Sequence, residues 1–286
     1  ENVTFDETLP TNYLADEVID DNKVNELLAK KYNETIVIAE DDSEILAYLK
    51  DELSTNFRVI AVNNGYDAVK AVMDDEVSLI LSDVLMPALN GFQLCSNIKS
   101  NIATCHIPIV LLTALSDDNQ RIYGIAEGAD EYIHKPFNMQ YVRLKIIRII
   151  EERKRLASTF AQKFGRLTRH EAANLPCVDD VFRDKLFNLI EAQHSDSNFK
   201  IELMSDMLGM SRILLYRKIT SIFGMSPSDL LRNYRLQKAV QLLTDQRRNV
   251  SEVAYIVGFS SPAYFAKCFK SVYNMTPTEY MYRTRE

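Results

Sequence analysis

The sequence has no tryptophan and only eight glycines and four cysteines among its 286 residues. It contains neither GxGxxG nor GxxxxGK[ST], which argues against a glycine-rich loop that binds nucleotide phosphates. The cysteines form no CxxC pair and no His/Cys metal spacing, so each is interpreted as a small buried hydrophobic residue. No apolar stretch reaches the roughly 18–20 residues of a membrane-spanning helix, and no apolar segment opens the chain. These absences predict a soluble, cytosolic protein.

Charge is distributed unevenly along the chain. Residues 1–150 contain 12 Lys and Arg against 25 Asp and Glu, a net charge of −13. Residues 151–286 contain 21 against 15, a net charge of +6. An acidic front half is typical of metal binding or regulation, and a basic back half is typical of polyanion binding. The alternative is a pair of unrelated solvated surfaces.

In the front half, short apolar strands alternate with amphipathic helices. Strands are predicted over 35–39, 59–62, 78–81, 107–112 and 131–134. Helices are predicted over 43–53, 66–73, 92–99, 117–127 and from 139 onward. Continuous apolar strands separated by amphipathic helices indicate a parallel sheet covered on both faces. The predicted fold is an α/β doubly wound domain with a five-stranded parallel sheet.

Polar residues follow the predicted strands, where an open parallel sheet binds its ligands. Glu40, Asp41 and Asp42 follow the first strand, Asp83 ends the third, and Thr113 and Lys135 follow the fourth and fifth. Clustered carboxylates repel one another unless a hard cation such as Mg²⁺ neutralises them. Thr113 and Lys135 would then bind the oxygens of a phosphate carried on Asp83. Pro136 predicts a restricted, candidate cis turn that positions Lys135.

Five motifs in this order resemble a response-regulator receiver domain. They are IVIAEDD at 36–42, DVLMPALNG at 83–91, LTA at 112–114, GAD at 128–130 and KPF at 135–137. The resemblance covers about residues 35–152 and implies a flavodoxin-like fold. It implies that Asp83 is the phosphoacceptor and that Thr113 and Lys135 contact the phosphate.

The same resemblance implies a Mg²⁺ site and a switch residue. Glu40, Asp41, Asp83 and the main-chain carbonyl of Leu85 would hold the ion, and Glu40 stands where many receivers have Asp. Asp42 is adjacent to these residues and is not included in the implied ligand set. Tyr132 occupies the position of the aromatic switch residue of receivers, and the alternative is an ordinary half-buried strand tyrosine.

The fifth helix carries an apolar stripe that continues past the receiver. The stripe contains Val142, Ile146, Ile149, Ile150 and Leu156. It forms a dimer contact or packs on the receiver's own sheet, and the sequence leaves both open. The predicted boundaries are an acidic N-terminal linker at 1–33, a receiver at 34–152, a linker at 153–180 and a DNA-binding domain at 181–286. HEAANLP at 170–176 resembles a histidine-kinase helix, but its proline falls one residue late and no ATP-site glycines accompany it.

The back half is predicted to be all-α, with two helix-turn-helix motifs. The first pairs helices 201–208 and 211–223 around Gly209, and the second pairs 250–257 and 261–273 around Gly258. Helices at 181–193 and 227–243 precede and separate them, and the latter could fix their separation. Core residues on each second helix imply an opposite, exposed face suited to phosphates and base edges. The exposed positions are Arg212, Ile213, Tyr216, Arg217, Lys218, Ala263, Tyr264, Ala266, Lys267 and Lys270.

These helices resemble the AraC-type DNA-binding domain. The motifs are GMSR at 209–212, LYRK at 215–218, SP at 226–227, VAYIVGFSSPAYF at 253–265 and MTPTEY at 275–280. The resemblance implies two recognition helices in successive major-groove turns, with Arg212 and Arg217 best suited to bidentate base contacts.

Together the two resemblances predict a phosphorylation-controlled transcription regulator rather than an enzyme. A histidine kinase would phosphorylate Asp83, Thr113 and Tyr132 would shift, and two chains would pair on promoter DNA. Because the chain opens on Glu1 with an acidic lead, it resembles the C-terminal part of a Bacteroidetes hybrid two-component protein, whose kinase and membrane anchor would lie upstream. This segment itself would not contact the membrane. The alternatives are a Mg²⁺-dependent phosphohydrolase, whose nucleophile would belong at Glu40, and a phosphorelay adaptor that binds no DNA.

Overall fold

The computed structural model describes residues 21–113, 128–164, 179–244 and 248–283. The strands are β1 (Thr35–Ala39), β2 (Arg58–Val62), β3 (Leu79–Asp83), β4 (Ile109–Thr113) and β5 (Glu131–His134). The first helices are α1 (Asp21–Ala29), α2 (Ser43–Ser54), α3 (Gly65–Asp74), α4 (Gly91–Ser100) and α5 (Met139–Phe164). The later helices are α6 (Asp180–Gln193), α7 (Ile201–Met207), α8 (Arg212–Phe223), α9 (Pro227–Thr244), α10 (Val250–Ile256), α11 (Pro262–Tyr273) and α12 (Pro277–Arg283).

The strands form a five-stranded parallel sheet in the order β2-β1-β3-β4-β5. The central strands β1, β3 and β4 are buried at every position, as their unbroken apolar sequence requires when helices cover both faces. One face packs against α2 and α5, and the other packs against α3 and α4. The predicted doubly wound fold is confirmed. The helix predicted at 117–127 lies outside the described residues.

The N-terminal segment differs from its prediction as a linker. Residues Asp21–Ala29 form α1, and Leu27 and Leu28 pack against the same core cluster as α2 and α5. The side chain of Asn56 donates hydrogen bonds to the carbonyls of Leu28 and Lys30, both at 2.8 Å. This helix was not predicted because it is short and its apolar residues are too few to show a helical period in the sequence.

Helix α5 continues well past the predicted end of the receiver at residue 152. It runs to Phe164, so residues 153–164 are helical rather than a linker. Phe160 and Phe164 are buried in the core formed by α6 and α8. At its start, Val142, Ile146 and Ile150 are buried against the receiver's own sheet. The early part of the stripe therefore packs on the receiver's own sheet, as one of the two alternatives predicted, and the dimer contact stays a prediction.

The C-terminal region contains two helix-turn-helix units, α7–α8 and α10–α11. Gly209 and Gly258 make the two turns at φ of +68° and +88°, a conformation that side chains disfavour. Ser211 and Ser261 cap α8 and α11 by accepting hydrogen bonds from the backbone N–H groups of Leu214 and Tyr264. Helix α9 contributes to the cores of both units and so sets their separation. Among the described residues, none of the helices combines the length and hydrophobicity needed to cross a membrane.

Candidate functional site

Three carboxylates converge at the carboxyl edge of the sheet. Glu40 follows β1 and Asp83 ends β3, and these strands are neighbours, so their ends meet. One oxygen from each of Glu40, Asp41 and Asp83 lies within 4.8 Å of the others. Glu40 and Asp83 are buried, at 1% and 8% exposure, whereas Asp41 faces solvent. Burial removes water from two of the three charges, so their repulsion must be met by nearby cations.

Lys135 supplies one of these cations. It follows β5, and the Lys135–Pro136 peptide is cis, as predicted. Its Nζ lies 2.8 Å from Oε2 of Glu40 and 3.0 Å from Oδ2 of Asp83. The ammonium thus bridges two carboxylates that come from different strands.

The protonation of this cluster reflects its burial. Desolvation raises the pKa of Glu40, and the Asp83 carboxylate adds to the rise, although the Lys135 hydrogen bond opposes it. Desolvation alone would lower the pKa of Lys135, but its bonds to Glu40 and Asp83 outweigh that effect and raise it. Three carboxylates and one ammonium leave a formal charge of −2 when all are ionised. Oxygen donors with this excess of negative charge fit a hard divalent cation such as Mg²⁺.

The other receiver residues singled out in the sequence lie around this cluster. Thr113 is buried at the end of β4, one position beyond the residue paired with Asp83. Tyr132 lies on β5, partly buried against the core cluster that covers the α3 and α4 face. Leu85 lies in the loop after Asp83 with its side chain exposed. Asp42 instead caps α2, because its Oδ1 accepts hydrogen bonds from the N–H groups of Glu44 and Ile45.

Gly91 and the backbone next to Asp83 also shape the site, and neither was predicted as a functional feature from the sequence. The N–H of Val84 donates a 2.7 Å hydrogen bond to Oδ1 of Asp83 and so orients the carboxylate. A Cβ at Gly91 would lie 2.3 Å from the carbonyl oxygen of Asp83. Only glycine lets α4 begin this close to Asp83, and the glycine at the end of the DVLMPALNG motif was the available signal.

The two recognition helices border a groove of about 1080 Å³. Arg212, Ile213 and Tyr216 of α8 are exposed and line it. From α11, Tyr264 lines the groove and is 53% exposed. Elsewhere on α11, Ala263, Lys267 and Lys270 are exposed and Ala266 is partly buried. Cationic and aromatic side chains thus lie on the exposed face of each helix, as a nucleic-acid interface requires.

Lys218 corrects the expected DNA-binding set. It is fully buried, its Nζ lies 2.6 Å from Oδ2 of Asp179, and it lies 4.5 Å from the ring centre of Phe182. The carbonyl of Ile102 accepts a further hydrogen bond from the same Nζ. Lys218 follows Leu215 by one helical turn and therefore faces the core, a periodicity that the LYRK motif concealed.

Arg217 is also placed differently from expectation. Its guanidinium is partly buried and donates hydrogen bonds to three backbone carbonyls at the end of α3. The expected interface is therefore divided: α11 exposes every candidate residue except the partly buried Ala266, whereas α8 exposes only Arg212, Ile213 and Tyr216.

Sequence comparison identifies both halves of the chain. Residues 36–147 match the family described as response regulator receiver domain, and residues 204–283 match the family described as helix-turn-helix domain. "Histidine kinase P4" of Formosa agariphila is 37% identical over 280 residues, which cover 98% of this chain and 20% of that protein. "Transcriptional regulatory protein GltR" of Pseudomonas aeruginosa is 38% identical over 113 residues, covering 39% of this chain and 47% of that protein. The chain thus spans between a fifth and a half of these relatives.

Among solved structures, similarity extends to the C-terminal domain of the two-component response regulator yesN from Fusobacterium nucleatum. It is 32% identical, with a TM-score of 0.34, and the match covers 35% of this chain and 96% of that one.

Proposed function

This chain joins a response-regulator receiver domain to an AraC-type helix-turn-helix domain, and on that premise we propose that phosphorylation of Asp83 controls its binding to promoter DNA. The observation that carries the proposal is the bridge that Lys135 forms between Asp83 and Glu40, next to Asp41. This arrangement provides a carboxylate to accept a phosphoryl group and charged groups to hold its oxygens. A second domain with exposed basic helices then provides the output.

The residues around Asp83 have separate tasks in the transfer. One oxygen of Asp83 forms the bond to phosphorus as the bond to the donor group, a histidine imidazole, breaks. Val84 N–H orients the carboxylate, and the Lys135 ammonium balances charge on the transferred oxygens. Glu40, Asp41, Asp83 and the carbonyl of Leu85 are proposed to hold Mg²⁺. The ion, when bound, would neutralise charge on the phosphoryl oxygens.

The phosphorylated state is proposed to act through Thr113 and Tyr132. Thr113 ends the strand next to β3, so its hydroxyl can move toward a phosphoryl oxygen on Asp83. Tyr132 lies on the next strand, opposite Leu111, and would turn further inward as Thr113 moves. Such a shift would change the receiver surface and promote pairing of two chains, which multiplies a modest affinity of each for DNA.

DNA binding is assigned to the exposed faces of α8 and α11. Lys267 and Lys270 suit phosphates, Tyr264 and Tyr216 suit sugar and base edges, and Arg212 suits a bidentate base contact. The phosphodonor is proposed to be a histidine kinase. The similarity to "Histidine kinase P4" over nearly the whole chain supports a kinase within the same, longer polypeptide, which would be anchored at the inner membrane with this segment in the cytoplasm.

The experiment that tests the proposal selects DNA from a randomised double-stranded pool. The native chain is compared with Asp83→Ala and with Asp51→Ala, a control on the exposed face of α2. For each chain, DNA binding is measured with and without Mg²⁺ and beryllofluoride, a mimic of the acyl phosphate. We expect enrichment of particular sequences that tightens with beryllofluoride for the native chain and Asp51→Ala only. Tightening that persists in Asp83→Ala would refute control through Asp83.

A second comparison tests the DNA interface. Lys267→Ala should weaken binding and lower the slope of log affinity against log salt by about 1, because each phosphate contact releases about one counterion. Lys50→Ala, which removes an exposed lysine of α2, should leave the slope unchanged. Equal slopes for both variants would remove Lys267 from the interface.

A further inference from the structure

The guanidinium of Arg217 is held by the receiver. Its Nη1 donates to the carbonyl oxygens of Asp75 at 2.9 Å and Met73 at 3.2 Å, and its Nη2 donates to that of Asp74 at 2.8 Å. The last carbonyls of a helix have no partner within the helix, and they form the negative end of its dipole. The C-terminal end of α3 is therefore a site that favours a cation, and α8 provides that cation.

The adjacent residue ties α8 to the receiver at a second place. Nζ of Lys218 donates to the carbonyl of Ile102 and lies 3.2 Å from Sγ of Cys105, both in the segment after α4. Ile102 also packs against the core that contains Phe223 of α8. Helix α8 is therefore docked on the receiver through hydrogen bonds and apolar contacts.

The second recognition helix lacks this restraint. Its Tyr264, Lys267 and Lys270 are exposed and, within the described residues, have no hydrogen bond or ion pair to the receiver. Arg217 is different because three of its donor contacts are made to receiver carbonyls. These carbonyls take three of the five guanidinium N–H donors and hold the side chain against the receiver, so Arg217 cannot extend toward DNA without breaking these contacts.

We infer that the C-terminal end of α3 is an intramolecular docking site for the first recognition helix, which keeps Arg217 from DNA until the contact opens. The inference rests on the proposed DNA-binding function and specifies how the receiver regulates it. Only open chains would present Arg217 together with the rest of the interface, and only they would bind DNA tightly. The apparent affinity would then be reduced by the fraction of chains that are open.

Helix α3 also contacts the loop that follows Asp83. A Cβ at Gly65, the first residue of α3, would lie 2.5 Å from the carbonyl oxygen of Leu89 in that loop. Helix α3 has ten residues and is about 15 Å long, and its other end holds Arg217. One rigid element thus joins the loop after Asp83 to the docking site, so a displacement of that loop would be transmitted to Arg217.

Charge reversal at Glu76 tests the inference in the full chain. Glu76 is exposed, follows the carbonyls that bind Arg217, and lines the groove together with Arg212 and Arg217. Glu76→Arg places a third cation beside Arg212 and Arg217, and its repulsion of Arg217 should open the contact between α8 and the end of α3. Asp51→Arg on α2 is the matched control, because it changes the net charge by the same amount on the other face of the sheet.

Two measurements are made without beryllofluoride, namely affinity for the oligonucleotide enriched by the native chain and the radius of gyration from solution scattering. Glu76→Arg should bind at least about threefold more tightly than Asp51→Arg, the gain expected if a third or less of the native chains are open. It should also be more extended. Removing Arg217 as well, in Glu76→Arg/Arg217→Ala, should abolish the gain, whereas a gain due to direct contact of the new cation with DNA would persist.

The outcomes separate this inference from the proposed function. Equal affinity and equal radius for Glu76→Arg and Asp51→Arg would overturn the docking site while leaving DNA binding intact. A larger radius with unchanged affinity would overturn the masking of Arg217. If no variant selects DNA but Glu76→Arg is still more extended, the docking contact stands and the proposed function fails.

Discussion

Replacing Asp179 by alanine provides a strong test of how the first helix-turn-helix unit is stabilised. Asp179 accepts hydrogen bonds from Lys218 at 2.6 Å and from the N–H of Phe182 at 2.8 Å. Its loss would leave the fully buried ammonium of Lys218 without a counter-ion. Breaking a buried pair costs about 3–5 kcal/mol and losing a helix cap costs about 1 kcal/mol. We expect Asp179→Ala to destabilise this unit by about 4–6 kcal/mol.

Lys218→Met and the double variant Asp179→Ala/Lys218→Met show whether the unpaired charge of Lys218 causes that loss of stability. Methionine keeps the apolar stem against Phe182 and leaves Asp179 with its hydrogen bond from the Phe182 N–H. We expect a loss of about 2 kcal/mol for Lys218→Met. Asp179→Ala/Lys218→Met should be more stable than Asp179→Ala alone, because the stranded charge has been removed.

The assay should report on α8 itself, because the chain has separate cores and its unfolding need not be a single transition. Hydrogen exchange of α8 amides measures the local free energy of opening. Glu152→Ala breaks the exposed Glu152–Arg155 pair and is the control, because solvent screens this pair and its loss should leave the exchange of α8 unchanged. A loss for Asp179→Ala as small as this control would refute the reasoning.

Three further predictions concern the buried His106, the two turn glycines and the candidate metal ligand Glu40. Burial lowers the pKa of His106 well below its usual value, and the charges of Lys218 and Arg153 lower it further. Below about pH 6.5, the unfolded chain therefore binds a proton at His106 that the folded chain does not bind. Stability should therefore fall as pH decreases from about 6.5 toward the pKa of the folded state, and acid unfolding of His106→Leu should show less of this dependence. Gly258→Ala should lower the free energy of unfolding by more than about 3 kcal/mol in thermal unfolding, because its Cβ would lie 2.1 Å from a backbone oxygen. Gly209→Ala has a similar φ but open space around its Cβ, so it should lower the free energy of unfolding by only about 1–2 kcal/mol. Glu40→Gln should weaken Mg²⁺ binding at least about tenfold by calorimetry, because one negative charge near the ion is removed; equal affinity would exclude Glu40 as a ligand.

The sheet and its acidic edge were predictable because both follow from local pattern. Unbroken apolar runs indicate strands buried on both faces, and parallel strands place their carboxyl ends at one edge. Glu40, Asp83 and Lys135 were therefore expected to meet, and the structure brings them within hydrogen-bond distance. No knowledge of how the two domains pack was needed for this inference.

Helix α5 was predicted less well because amphipathicity does not identify the surface that covers an apolar stripe. The early part of the stripe packs on the receiver sheet, while Phe160 and Phe164 pack among the helices of the second domain. A change of neighbour within one helix leaves the sequence period unchanged, so the predicted linker at 153–180 included a helical segment. Only the arrangement of both domains shows where each part is buried.

The receiver sheet, the acidic edge and the two helix-turn-helix units could be predicted from local sequence, because strand patterns, capping residues and turn glycines act over a few neighbouring positions. The tertiary structure decided which basic residues of α8 remain available to DNA. Lys218 neutralises a buried Asp179, and Arg217 binds carbonyls more than 140 positions earlier in the chain. A cationic side chain can face solvent, DNA or a helix terminus with the same local sequence, and only the distant groups brought next to it select among them.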